Sequence, residues 1–338
     1  RKSDGLPIGA VSGFCNMLSK LVDDVRDDGE VDYFAVIFDA ARKTFRNDIY
    51  PEYKAHRPPA PEDLVPQFPL VKRASEAFNL ATIEMPGFEA DDIIATYARL
   101  AREAGMAVTI VSSDKDLMQL VGDGVVMHDP MKQRLIGPDQ VQEKFGVGPN
   151  RVIDVQALCG DATDNVPGVP GIGIKTAALL INEYGDLDGV LARAEEIKQP
   201  KRRQSLIDHA DLARVSRELV TLKDDVPLET SLDDLGLREP EAEVLLGFMA
   251  EMGLERLAGR IAQRLGGSLP AAPETAAASE AAPELEYQCI QTLAELEPWV
   301  ALARKVGVVA VDTETTSLDA MVADLVGVSL SVTPGQAC

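Results

Sequence analysis

The chain has 338 residues, about twice the usual domain of roughly 150, so two or more domains are expected. With 46% hydrophobic and 26% charged residues it is globular in composition, which excludes wholesale disorder, collagen and a disulfide scaffold. The net charge of −22 is concentrated: residues 224–243 carry eight acids against Arg238, and residues 270–299 carry six glutamates and no Lys or Arg. Basic segments remain at 42–57 and 198–203, so the overall charge does not exclude a local polyanion site.

No window approaches a membrane span, and no basic stretch leads into an apolar signal-like run. Cys15, Cys159, Cys289 and Cys338 lack metal-ligand spacing, and with three histidines a zinc site is not expected. Reduced thiols in a cytoplasmic protein are the simplest reading. The sequence opens at Arg1 rather than Met and stops inside a strand-like stretch, so both ends are expected to be cuts.

In chain order, residues 34–39 (FAVIFD) form a short apolar run ending in a carboxylate, which reads as a buried strand. Six prolines between Pro51 and Pro69 predict a segment that leaves the sheet. Ala90, Ile93, Ile94, Tyr97, Ala98 and Ala101 recur at helical spacing, and residues 107–112 and 125–127 read as further strands. Strands alternating with helices predict a mostly parallel α/β sheet, whose functional groups gather at strand carboxyl ends. Asp39 and Asp114 fall there. Residues 139–265 are wholly helical in pattern, broken by a Gly/Pro-rich run at 168–173, and residues 266–286 read as an Ala/Pro/Glu-rich linker. Residues 306–312 and 325–330 then predict two strands of another domain.

Four acidic clusters stand out: Asp39; Glu89, Asp91 and Asp92; Asp114 and Asp116; Asp161 and Asp164. Each alone also reads as first-turn acids, an N-cap or turn residues. Taken together, so many carboxylates repel one another unless cations neutralise them. Oxygen ligands without His or Cys suit Mg²⁺ or Mn²⁺, and a site this large suits two ions serving in-line phosphoryl displacement. Arg42, Lys43, Arg46, Tyr53, Lys54 and Arg57 follow Asp39 and offer cations for phosphates and aromatic faces for unpaired bases, with a solvated charged loop as the plain alternative. The run around Gly171, Gly173, Lys175 and Thr176 lacks the spacing and preceding strand of a P-loop. It fits a helix–hairpin–helix, whose glycines let backbone amides approach a phosphate at a helix N-terminus, although a plain helix connection has the same form.

FDAARKTFRNDIYPEYKAHR, GFEADD, SSDKDL, GDATDNVPG and GIGIKTA, in this order and spacing, resemble the 5′→3′ exonuclease domains of the flap endonuclease family, the kind carried by bacterial DNA polymerases of the polymerase I type. The resemblance covers about residues 1–265. It implies a parallel-sheet 5′ nuclease core (about 1–138) with a helical DNA-binding part containing the helix–hairpin–helix (about 139–265). Asp39, Glu89, Asp91, Asp92, Asp114, Asp116, Asp161 and Asp164 match the family's metal-site acids. Lys54 and Arg57 match its catalytic arch cations, and Gly171–Thr176 its duplex-binding hairpin. After the linker, Asp312 and Glu314 resemble the first motif of a 3′→5′ proofreading exonuclease, so residues 287–338 are expected to be part of an RNase H-like α/β domain.

The resemblance implies a monomeric nuclease of replication and repair that uses two Mg²⁺ or Mn²⁺ ions on 5′ ends, flaps, nicks and RNA primers, in the cytoplasm at the nucleoid and away from membranes. It also implies a first strand with a further aspartate upstream of Arg1, so the sequence as it stands is expected to cleave weakly. The rivals are a metal-dependent phosphatase and a catalytically impaired DNA-binding fragment. The first would cleave a simple phosphate ester, and the second would bind DNA without cutting it.

Overall fold

The apolar stripe Val11, Cys15, Leu18 and Val22 is the buried face of α1 (Gly9–Asp28), which stops at Gly29 in the left-handed conformation. The computed structural model describes residues 5–265, 286–317, 322–333 and 335–338. Contacts divide the chain into two compact units, Arg1–Pro270 and Ala271–Cys338. The predicted linker lies almost wholly outside the described residues.

In the first unit, β1 (Ala35–Ile37) leads through a loop to the single turn α2 (Arg46–Ile49), and an exposed, proline-rich stretch follows to α3 (Phe68–Ala77). Next come β2 (Ala81–Ile83), α4 (Ala90–Glu103), β3 (Val108–Val111), β4 (Val125–Asp129) and β5 (Arg134–Ile136). β1 pairs with β2 in parallel, β3 pairs with β4 in parallel, and β5 adds an antiparallel edge. The expected parallel sheet is thus present as two parallel pairs, with α4 packed against both β1 and β3. The strands at 35–37, 108–111 and 125–129 fall where the sequence placed them. β2 and β5, three residues each, are too short to show a period.

The helical part comprises α5 (Pro138–Phe145), α6 (Val152–Cys159), α7 (Ile174–Tyr184), α8 (Leu187–Ala192), α9 (Pro200–Asp208), α10 (Ala210–Val220), α11 (Ala242–Glu251) and α12 (Glu255–Leu265). It does not act as one body. Helices α5 to α9 share a core with β3, β4 and β5, built on residues such as Met127, Ile136, Leu158, Ile181 and Leu206. Helices α11 and α12 instead return to α1 and α3, where Leu246, Met249 and Leu257 meet Val11, Leu18 and Phe78. A third cluster joins Ile83, Ile93 and Tyr97 to Val226 and Leu235, so residues 226–235 cover the β1–β2 side.

The second unit contains β6 (Glu286–Tyr287), α13 (Leu293–Val306), β7 (Ala310–Thr315), β8 (Leu325–Ser331) and β9 (Gln336–Ala337). Strands β7 and β8 are antiparallel, β6 and β9 parallel. Thr292 caps α13 through its hydroxyl, and Gly307 ends it with φ of 82°. No helix among the described residues is long and apolar enough to cross a membrane.

The loop between α6 and α7 rests on one demanding position. Gly160 has φ 67° and ψ −174°, a conformation essentially reserved for glycine, and a Cβ there would lie 2.5 Å from the Val166 carbonyl oxygen. Asp161 and Val166 exchange both backbone hydrogen bonds across this turn, at 2.9 and 2.8 Å. Gly160→Ala is therefore expected to cost about 3 kcal/mol of stability, read from chemical denaturation, and to displace the Asp161–Asp164 loop. A loss below about 0.5 kcal/mol would show that the close approach is not rigid.

Candidate active site

The site forms around the N-terminus of α4. Glu89 is extended (φ −88°, ψ 156°) and the helix begins at Ala90, which puts Asp91 and Asp92 in its first turn, where the helix dipole favours carboxylates. The Ala90 amide donates to Asp39 Oδ1 at 2.7 Å, tying the acid just beyond β1 to the helix. Asp91 is half-buried, and its carboxyl is pushed up to about 8 by burial and then by Asp114, Glu89, Asp116 and Asp39 in turn. Asp116 is pushed up to about 6 by burial and by Asp114, against the opposing pull of Gln156 and Lys115. The acids after β1, on α4 and after β3 therefore share one field.

The fourth acidic cluster closes the site from the helical side. Asp161 Oδ1 accepts the Thr163 amide at 2.6 Å, and this turn carries Asp164 towards residues 52–54. There the Lys54 amide donates to the Asp164 carbonyl at 2.9 Å, and Asn165 Nδ2 donates to the Glu52 carbonyl at 2.7 Å. The Tyr53 hydroxyl lies 3.2 Å from both Glu89 and Asp164.

Protein cations occupy the space between these acids. Lys54, at φ 56°, places Nζ 2.9 Å from Glu89 and 3.4 Å from Asp164. Burial alone would depress its ammonium pKa, but Glu89 and Asp164 outweigh burial and hold it above the usual lysine range. Arg57 also pairs with Asp164, and Lys115 with Asp161. Burial would raise the Asp161 carboxyl, yet the Lys115 and Thr163 donors hold it below the ordinary range. Among the described residues no three His, Cys, Asp or Glu side chains converge as a ready-made metal pocket. The donor set itself, all oxygen and strongly self-repelling at Asp91, suits a hard divalent cation.

Three sequence expectations change. Asp92 is fully buried and turned away from Asp91: its two oxygens receive Arg46 Nη1 and Nη2, both at 2.7 Å, the Glu89 amide at 3.0 Å and the Lys223 amide at 2.9 Å. Arg46, expected on DNA, is 1% exposed and is Asp92's partner. Tyr53, expected to stack on bases, is 4% exposed, and its hydroxyl serves the carboxylates. Arg42 and Lys43 are exposed, with Arg42 Nη2 holding the Arg57 carbonyl at 2.8 Å. One contributor gave no signal in the sequence: buried Gln156 on α6, whose Nε2 donates to Asp116 Oδ1 at 2.5 Å while its Oε1 has no partner among the described residues.

The Gly/Pro-rich run at 168–173 lies in the loop between α6 and α7. Ile172 is buried, while Gly171 (φ 80°), Gly173 and Lys175 face solvent, and Thr176 is half-buried in the first turn of α7. In the second unit Asp312 and Glu314 lie two apart on exposed β7, and so on one face of it.

Family models match in three consecutive stretches: "5′-3′ exonuclease, N-terminal resolvase-like domain" over residues 1–146, "5′-3′ exonuclease, C-terminal SAM fold" over 147–243, and "3′-5′ exonuclease" over 287–338. A 5′-3′ exonuclease of Aquifex aeolicus is 37% identical over 75% of this chain and 86% of its own length. The chain belongs to the 5′-3′ exonuclease family. DNA polymerase I of Rhizobium leguminosarum is 48% identical over 98% of the chain, and that of Pseudomonas aeruginosa 36% over 99%. The chain spans 39% and 37% of their lengths. Among solved structures, T5 5′-exonuclease with bound zinc aligns with a TM-score of 0.56 at 22% identity, covering 77% of this chain and 92% of that one. The catalytic core of Rad2 in complex with DNA aligns at 0.50 and 17%, covering 75% and 84%. These likenesses show a shared fold.

The Asp91 shift has a direct consequence for stability. A carboxyl whose folded pKa exceeds its unfolded value of 3.8 opposes folding once ionised, so in EDTA the Asp91 contribution falls as pH rises from about 4 through about 8. The stability advantage of Asp91→Asn over the parent should then grow by at least about 1 kcal/mol between pH 5 and pH 8.5, in thermal melts. An equal difference at both pH values would remove the crowding of Asp91 as its cause.

Proposed function

We propose that this chain is a divalent-metal-dependent, structure-selective 5′ nuclease acting on DNA, as the 5′→3′ exonuclease part of a DNA polymerase I. The observation that carries the reading is the field at Asp91: four other carboxylates raise its pKa together, an arrangement whose repulsion a hard cation relieves. Asp39, Glu89, Asp91, Asp114, Asp116, Asp161 and Asp164 would hold two Mg²⁺ or Mn²⁺ ions. Such ions neutralise a phosphodiester, favour ionisation of water and stabilise the leaving oxygen.

The chain's own residues do the rest. Asp39 and Gln156 orient the acids by fixing the α4 N-terminus and Asp116. Lys54 and Arg57, at the acidic edge formed by Glu89 and Asp164, exchange those partners for phosphate oxygens when DNA enters. Arg42 and Lys43 lie along the same exposed segment, suited to a single strand's backbone. The amides at the start of α7, with Gly171, Gly173, Lys175 and Thr176, hold a duplex phosphate at a distance from the cut. The substrate is DNA with a 5′ end, flap or nick, RNA primers included, cut by a monomer during replication and repair in the cytoplasm. The Aquifex relative, named as a 5′-3′ exonuclease, and the DNA-bound Rad2 core support this choice. Asp312 and Glu314, on one face of β7, would belong to a 3′-5′ exonuclease site.

Cleavage of a 5′-flap duplex against p-nitrophenyl phosphate in Mg²⁺ separates the nuclease from a phosphatase. Asp114→Asn should reduce flap cleavage at least about a thousandfold, the equivalent of about 4 kcal/mol, with duplex affinity kept. Wild-type turnover in that variant would sink the site.

The basic groups should divide by role. Lys54→Ala and Arg57→Ala should lower the single-turnover rate, whereas Lys175→Ala should weaken binding and reduce the salt slope by about 0.9. Proportionate changes in rate and affinity for all three would dissolve that division.

A further inference from the structure

We infer that Arg46 and Asp92 form a single positioning unit that sets the α4 N-terminus, and with it Glu89 and Asp91, against the segment that carries Lys54, and that Asp92 is not a metal ligand. The inference rests on the nuclease reading above and assigns one of its acids a different task.

An ionised carboxylate offers about four lone-pair directions. Those of Asp92 are all taken: Arg46 Nη1 and the Glu89 amide on Oδ2, Arg46 Nη2 and the Lys223 amide on Oδ1. Nothing is left for a cation, and the side chain is fully buried. Arg46 is equally committed. Its Nε donates to the Leu219 carbonyl at 2.7 Å and its Nη2 to the Thr221 carbonyl at 3.2 Å, while Glu89 Oε2 stands 3.9 Å from Nη1. The Phe45 ring lies against Arg46 at 4.6 Å and Lys223 at 5.4 Å, so the aromatic face is held by cations as well.

Three segments distant in sequence therefore meet at one ion pair: α2, within the basic segment; the start of α4; and residues 219–223, at and just beyond the end of α10. The third link reaches the remaining acids, because Ser216 on α10 accepts the Gly168 amide at 2.9 Å and so holds the loop that carries Asp161 and Asp164. A planar guanidinium engaged by both nitrogens fixes direction as well as distance. Lysine in its place would keep the charge and lose the orientation.

The decisive measurement is Mn²⁺ affinity by electron paramagnetic resonance, on the full-length chain without DNA. Removing a cation beside an acidic cluster should, by Coulomb's law alone, tighten Mn²⁺ binding. Positioning demands the opposite: Arg46→Met should bind Mn²⁺ at least about tenfold more weakly, the size usual for groups that orient metal ligands. Arg46→Lys should recover part of that loss. The paired exchange Arg46→Met/Asp92→Leu leaves net charge unchanged and is the variant suited to retaining the fold if either single change unfolds the chain. It should melt cooperatively, bind Mn²⁺ about tenfold more weakly, and cut a 5′ flap at least about tenfold more slowly with substrate Kd in Ca²⁺ unchanged within about threefold. Its loss should not exceed that of the worse single variant, because the two side chains act as one.

Tighter or unchanged Mn²⁺ binding in Arg46→Met, alongside weaker binding in Asp92→Asn, would make Asp92 a ligand and overturn the inference. So would wild-type affinity in the paired exchange. Failure of the unmutated chain to cut a flap would count against the nuclease reading, while the Mn²⁺ titration, which needs no DNA, would still decide the positioning role.

Discussion

Crowding of like charge at the α4 N-terminus is the constraint to which the rest of the first unit answers. Two unit charges 4 Å apart interact by about 4 kcal/mol at the effective dielectric of a protein surface. Asp91 feels Asp114, Glu89, Asp116 and Asp39 together. The chain answers this in three ways: the Asp91 carboxyl is pushed up to about 8; Lys54, Arg57 and Lys115 pair with Glu89, Asp164 and Asp161; and backbone amides at Ala90 and Thr163 donate to Asp39 and Asp161. Each remedy fixes a piece of chain. The lysine and arginine pairings bring the basic segment over the acids, and the amide at Ala90 fixes the end of β1 to a helix start.

How far the sequence exposed this arrangement depended on whether one residue type implied one environment. Apolar runs ending in Asp39 or leading to Asp114 were legible, because a buried strand and the acids beyond it leave a compositional edge. Asp91 and Asp92 were not separable. They are neighbours of identical chemistry, and only the roughly 100° of helical rotation between them sends one to the shared field and the other to Arg46. Arg46 was hidden for the same reason among Arg42, Lys43, Lys54 and Arg57: a run of cations does not reveal which one is buried until Asp92 is seen to be fully buried against it. Tyr53 looked like a stacking ring until its hydroxyl found two carboxylates, and Gln156 carries no charge or motif by which to be noticed. β2 and β5 escaped because, unlike β1, these three-residue strands are not set in a longer apolar run.

The helical half has a comparable lesson. Residues 139–265 share one pattern, yet α11 and α12 bury Leu246, Met249 and Leu257 against α1 and α3 while α5 to α9 cover β3 to β5. Helical periodicity reports that a face is apolar and is silent about which partner covers it. The return of α11 and α12 ties both ends of this unit to one core. The site, which lies between the β1–α4 region and the Asp161 loop, is thereby set between elements held together on either side.

A chain of net charge −22 addressing a polyanion is physically coherent once the charge is located. Lys175 beside the hairpin and Lys201 on α9 are exposed, and Ser205 on α9 donates to the Pro170 carbonyl at 2.7 Å, fixing that helix to the loop. The densest acids elsewhere, at 224–243 and 270–299, are separate from it in sequence and add to solubility. The acids at the α4 N-terminus are a different case. By themselves they would repel a phosphate; Lys54 pairs with Glu89 there, and Arg57 with Asp164 on the facing loop. Divalent charge held at the same carboxylates, as proposed above, would offset their negative field, and Lys54 and Arg57 would then be available to an incoming phosphate.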